Sequence, residues 1–192
     1  MKQSLSILAL AAATLFASGA LAQTMIRAVA SGPGESPPNG SPGSSVAAFE
    51  IDGSVLRAEV PFRDLLADTT MAHIHCCTTA AFTGTAPIAI PFVDFPLGVT
   101  AGTYTHAFDL TDASVYDPAF LAAFGGTPAS ASTALIDAIN ANEAYLNIHT
   151  TQFPAGEIRG FMVAAPIPEP ATWGMLGMGL ASLGMLKRRR RA

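Results

Sequence analysis

VAAFEIDGSVLRAEV, Val46–Val60, decides how the rest of the chain is read. Two strand-like runs flank Asp52-Gly53, a dipeptide suited to the positive backbone angles of a tight hairpin turn. In the second run Leu56, Ala58 and Val60 fall on one face, and Val55, Arg57 and Glu59 on the other. A period of two with one apolar face is the mark of a half-buried strand.

Working outward, Met71–Cys76, Gly102–Leu110, Ala144–Thr150 and Ile158–Val163 read as further strands. Thr127–Asn142 reads as a helix: Thr127 can cap it, Pro128 suits its first turn, and Ala131, Leu135, Ala138 and Ile139 form an apolar stripe. A shorter helical turn is expected around Asp117–Ala123, with Pro118 at its start. Ala89–Gly98 carries too many prolines for a central strand and reads as a connecting loop. The Gly, Pro and Ser of SGPGESPPNGSPGSS, residues 31–45, give a linker or loop over 23–45. Short strands, frequent turns and little helix add up to a mainly β protein, an antiparallel β-sandwich with one short helix.

The two ends carry targeting signals. Lys2, an apolar run from Leu5 to Phe16 and Ala20-Leu21-Ala22 make residues 1–22 a secretory signal peptide for signal peptidase. At the other end Pro168-Glu169-Pro170 is followed by an uncharged stretch, Ala171–Leu186, and by Lys187 and Arg188–Arg191. Sixteen helical residues span about 24 Å, short of a hydrocarbon core of about 30 Å. The basic cluster favours the cytoplasmic side, which predicts transient insertion of this transmembrane helix in the inner membrane with the body of the chain outside.

This tripartite tail, residues 166–192, resembles the PEP-CTERM sorting signal of Gram-negative bacteria. Pro168, Glu169, Pro170 and the basic run that includes Arg188, Arg189 and Arg190 carry the resemblance. It implies processing by an exosortase-type membrane protease and delivery to the cell surface, outer envelope or extracellular polysaccharide matrix.

Between the signals, four arginines face thirteen carboxylates, a net charge of −9 up to Pro168. So acidic a domain is unsuited to nucleic acid, and cations are the more natural partners. There is no Gly-x-Ser-x-Gly, no phosphate-binding glycine loop and no His-Glu-x-x-His, and no catalytic residue is assigned.

Three phrases recur together in a known family: Ala72-His-Ile-His75, Ala101-Gly-Thr-Tyr104, and Tyr145-Leu-Asn-Ile-His-Thr150 running on to Phe153-Pro-Ala-Gly-Glu-Ile-Arg-Gly160. Over residues 46–165 the chain resembles the CHRD domain named for chordin. The resemblance implies an extracellular sandwich, Ig-like or superoxide-dismutase-like, but no defined bacterial activity. Cys76 and Cys77 depart from the Gly-rich continuation usual in that family.

On a strand His73 and His75 share a face with Met71, while Ile74 points the other way. Tyr145, Asn147 and His149 share a face of the later strand in the same pattern. If those strands meet, His73, His75 and His149 converge as ligands for copper or zinc, with His106 a possible fourth and Glu157 and Asp109 as carboxylates to orient the rings. The alternative is that the imidazoles bond backbone and carboxylates and order the sheet edge. A likeness to copper–zinc superoxide dismutases rests on the His-x-His pair alone; the bridging histidine and zinc cluster are missing, so superoxide dismutation is not expected.

Cys76 and Cys77 leave three readings open: a vicinal disulfide in a tight turn, thiolate ligation with His73 or His75, or burial and intermolecular pairing. Glu157 and Arg159, two apart, read as a structural ion pair. Two functions follow. One is a non-enzymatic binding or structural role at the surface, with polysaccharide or a surface protein as partner. The other is a mononuclear copper or zinc protein with a redox or metal-handling role.

Overall fold

The structure is a computed structural model that describes residues 24–166. Both targeting segments, the signal peptide over 1–22 and nearly all of the tail from 166 onward, lie outside the described residues.

Eight strands run in chain order: β1 Thr24–Ser31, β2 Ser44–Asp52, β3 Val55–Arg63, β4 Thr69–His75, β5 Ile88–Pro91, β6 Gly102–Asp109, β7 Tyr145–Thr150 and β8 Ile158–Pro166. Two helices, α1 Pro118–Ala123 and α2 Pro128–Asn140, lie between β6 and β7. The strands form one antiparallel sheet in the order β5-β4-β7-β8-β1-β2-β3-β6. It is mainly β, as the alternation predicts, and sandwich-like, but one continuous sheet curls over its own core.

Aromatic rings close the curl. Phe92, just past the edge strand β5, stacks 4.8 Å from Tyr104 of the opposite edge strand β6 and lies 5.7 Å from Phe108. The hairpin register is Ile51↔Leu56 and Asp52↔Val55, and Leu56, Ala58 and Val60 are buried. Helix α2 is capped by the Thr127 side chain, which accepts from the Ser130 amide, and buries Ala131, Leu135, Ala138 and Ile139. Helix α1 stands where a helical turn was expected, with Asp117 capping it.

Two expectations are corrected. The linker over 23–45 is instead a strand and a packed loop. Strand β1 pairs with β2 on one side and β8 on the other, burying Ile26, Ala28 and Ala30. Alanine is a weak strand former, and here tertiary pairing outweighs propensity. In the loop that follows, Asn39 donates to the Glu157 carbonyl and Ser41 to the Glu157 carboxylate. The proline-rich stretch expected as a loop contributes β5, and Pro91 is tolerated because β5 is an edge.

Candidate metal centre

Strands β4 and β7 are neighbours, in the register Met71↔His149, His73↔Asn147 and His75↔Tyr145. Alternation then puts Met71, His73, His75, Tyr145, Asn147 and His149 on one face, while Ala72, Ile74, Leu146 and Ile148 enter the core. Strand β8 extends that face, since Asn147 pairs with Arg159 and Tyr145 with Phe161.

All six residues of β7 are buried, so this second face is covered as well. Three loops cover it. Residues 76–87 are held by a bond from the Thr78 amide to the Glu143 carbonyl at 2.9 Å, by Arg159 donating to the Gly84 carbonyl, and by Tyr145 Oη against Ala86. The loop after β1 sends Glu35 to Asn147 Nδ2. The turn after β7 closes at Gly156, whose φ is +128° and whose Cβ, if present, would lie 2.6 Å from Asn147 Nδ2 and from Glu35 Oε1. Only glycine fits there.

His73 and His149 are buried and His75 half-buried. Each ring offers a nitrogen, and the three nitrogens lie within 4.8 Å of one another. His75 Nδ1 is 2.8 Å from the Ala86 carbonyl, and His149 Nδ1 is 3.0 Å from the Pro154 carbonyl. A carbonyl only accepts, so both rings carry their proton on Nδ1, and each Nε2 presents a lone pair. Those two Nε2 atoms and His73 Nδ1 are buried without a hydrogen-bond partner. Buried polar atoms in native folds are nearly always satisfied, so three orphans in one cluster point to an absent partner.

The rings are neutral bases. Burial, reinforced by the charges His149 and His75 would carry, pushes His73 down from 6.5 to about 4. Burial takes His75 down to about 4 despite its bond to Ala86, and lowers His149 as well. Neutral imidazole is the form that binds metal. Donors about 2.0–2.1 Å from one ion would stand about 3.4 Å apart in a tetrahedral set, so small ring rotations would seat copper or zinc.

His106 is not part of the cluster. It sits on β6, at the opposite edge of the sheet from β5, between Tyr104 and Phe108 at ring distances of 5.8 and 4.5 Å. The carboxylates expected to orient the rings lie elsewhere too. Glu157 accepts from Ser41 Oγ, Thr150 Oγ1 and the Leu66 amide, each at 2.6 Å, and Asp109 bonds Thr111 at the surface. Backbone carbonyls hold the imidazoles instead.

Nor do Glu157 and Arg159 pair; among the described residues the ion pair formed is Arg63–Asp64. The Arg159 guanidinium lies 3.6 Å over the Tyr145 ring, whose other neighbour is His75 at 4.7 Å, nearly parallel. Cys76 and Cys77 form a vicinal disulfide. Cys76 belongs to the core, and Cys77 Sγ lies 3.9 Å from the Ala134 carbonyl of α2, so neither sulfur is among the grouped ligands. Sequence reasoning left Asn147 and Glu35 unassigned. Alternation alone would have set Asn147 between the histidines, but no local signal marked Glu35.

The family model of the CHRD domain matches residues 26–162. The chain belongs to the CHRD-domain family. In this CHRD domain the family match begins inside β1, earlier than the boundary at residue 46 that composition suggested. Residues 166–191 match the PEP-CTERM protein-sorting motif, which includes Pro168-Glu169-Pro170 and Arg188–Arg191. The motif supports export and sorting to the cell surface of a Gram-negative bacterium, with processing by exosortase-type machinery. No curated protein and no solved structure matches the chain.

Proposed function

We propose that this CHRD domain is a non-enzymatic metal-handling module of the cell surface, holding one copper or zinc ion on His73, His75 and His149. The observation that carries the reading is the trio of buried, partnerless ring nitrogens, two of them on rings whose other nitrogen is held by a carbonyl. An acidic domain suits a cation, and the carbonyl bonds supply the outer support that metal-binding imidazoles usually have. Signal peptidase would release the chain at Ala22. The C-terminal helix would hold it in the inner membrane until an exosortase-type protease acts near Pro168-Glu169-Pro170. The delivered domain would then stand in the outer envelope or the polysaccharide matrix.

Elemental analysis of the protein recovered from cells expressing the full chain tests this. Close to one copper or zinc per chain is expected, with near-complete loss in His75→Ala and none in His106→Ala. Protein that stays empty when offered both metals contradicts the reading.

A further inference from the structure

The three imidazoles leave the ion's fourth position open, and one more donor stands beside them. Met71 is two residues before His73 on β4 and directly opposite His149 on β7. Residues i, i+2 and i+4 of a strand share a face, and directly opposed residues have Cβ atoms about 4.5–5.5 Å apart. The long thioether side chain therefore extends over the face that carries His73, His75 and His149. Met71 is 46 % exposed, an unusual place for a large apolar side chain otherwise without a role, while His73 and His149 are buried.

The charge of the surroundings narrows the choice of ion. The grouped ligands are imidazoles alone, with no carboxylate or thiolate among them. Arg159, from β8, adds a fixed positive charge near enough to weigh on His75. Glu35, over Asn147, is the facing carboxylate, and Arg159 is its counter-charge. Nothing is left to neutralise a second positive charge on the ion. Burying uncompensated charge grows steeply more costly with its size, so a neutral ligand set beside a guanidinium favours a monovalent ion. A soft thioether selects Cu(I) over Zn(II).

We infer that the site is a cuprous one, with Met71 as its fourth, solvent-side ligand and the residue that sets copper over zinc. This rests on the metal-handling reading above. The ion enters past Met71, because the three loops close the other approaches. Copper stays in one oxidation state, and no electron transfer is involved.

The test is anaerobic competition of the exported full-chain product against bicinchoninate for Cu(I) and against a chromophoric chelator for Zn(II), with Met71→Leu alongside. Leucine keeps the volume at an exposed position, so the variant folds. Cu(I) affinity should fall by about tenfold or more in Met71→Leu while Zn(II) affinity stays within about twofold, the selective loss a soft ligand predicts. X-ray absorption should show one sulfur scatterer on copper in the native protein and none in the variant. Equal Cu(I) affinities, or a native preference for Zn(II), would overturn the inference and leave the three-histidine site standing. Native protein that takes neither metal overturns both.

Discussion

The sheet has two outer regions built on the same alternation and used in opposite ways. Over β1, β2 and β3 the outward positions, among them Arg27, Val29, Val46, Arg57 and Glu59, meet solvent. Over β4, β7 and β8 the outward positions His73, Asn147, His149 and Arg159 are buried. Strand pattern does not separate them. The difference lies in what covers them: three loops close on the second region, and hydrogen bonds to Glu157, Asn147, Gly84 and Ala86 hold them there. Burial turns polar side chains from solvated surface into a site. It strips their water, lowers the basicity of the rings and leaves nitrogens without partners.

Removing the fastening should break this contrast most. Glu157 is fully buried and accepts three bonds that tie the loop after β1, Leu66 and Thr150 together. Glu157→Ala strands those donors and should cost about 3 kcal/mol or more. Glu59→Ala on the open face should change stability by no more than about 0.5 kcal/mol. Urea unfolding of the two variants checks the pair; similar losses would mean that the cover is not held from Glu157.

A smaller loss is expected at the turn that presents the Pro154 carbonyl. Gly156→Ala forces a side chain into a φ of +128° and onto Asn147 and Glu35, at a cost of about 2 kcal/mol. The same variant should bind metal more weakly than its stability loss explains, because His149 loses its anchor. Unchanged metal affinity would detach the turn from the site.

The mildest probe is pH. His73 and His75 titrate near 6.5 when unfolded but near 4 in the fold, so between these values the unfolded chain binds protons that the folded chain refuses. Their contribution is therefore complete above about pH 6.5 and lost progressively as pH falls towards about 4. The thermal midpoint of metal-free protein should drop by a few degrees between pH 7 and 5, and bound metal should flatten the drop. A flat profile without metal would place ordinary, solvated imidazoles at these positions.

Much of this was legible in the chain itself. The Asp52-Gly53 hairpin and the cap and stripe of α2 follow from local rules, and His73, His75 and His149 each fall on the face opposite apolar neighbours by counting in twos. Strand β1 escaped because Ala28 and Ala30 alternate with Ile26 too quietly beside a Gly/Pro/Ser run. His106 was enlisted because residue type says nothing about which edge of a sheet a strand occupies. The carboxylates were enlisted for the same reason, although carbonyls of Ala86 and Pro154, invisible to any reading of side chains, fill that place.

Side-chain facing is local, a consequence of the two-residue pleat, and so the sequence alone determined that each strand sets histidine against an apolar face. Strand order is not local. That β4 lies beside β7, more than 65 residues apart along the chain, while β6 with His106 closes the far edge, depends on how eight strands and their loops bury one shared core. Only the tertiary structure decides it, because such pairing is rewarded by contacts that exist once the whole sheet has curled.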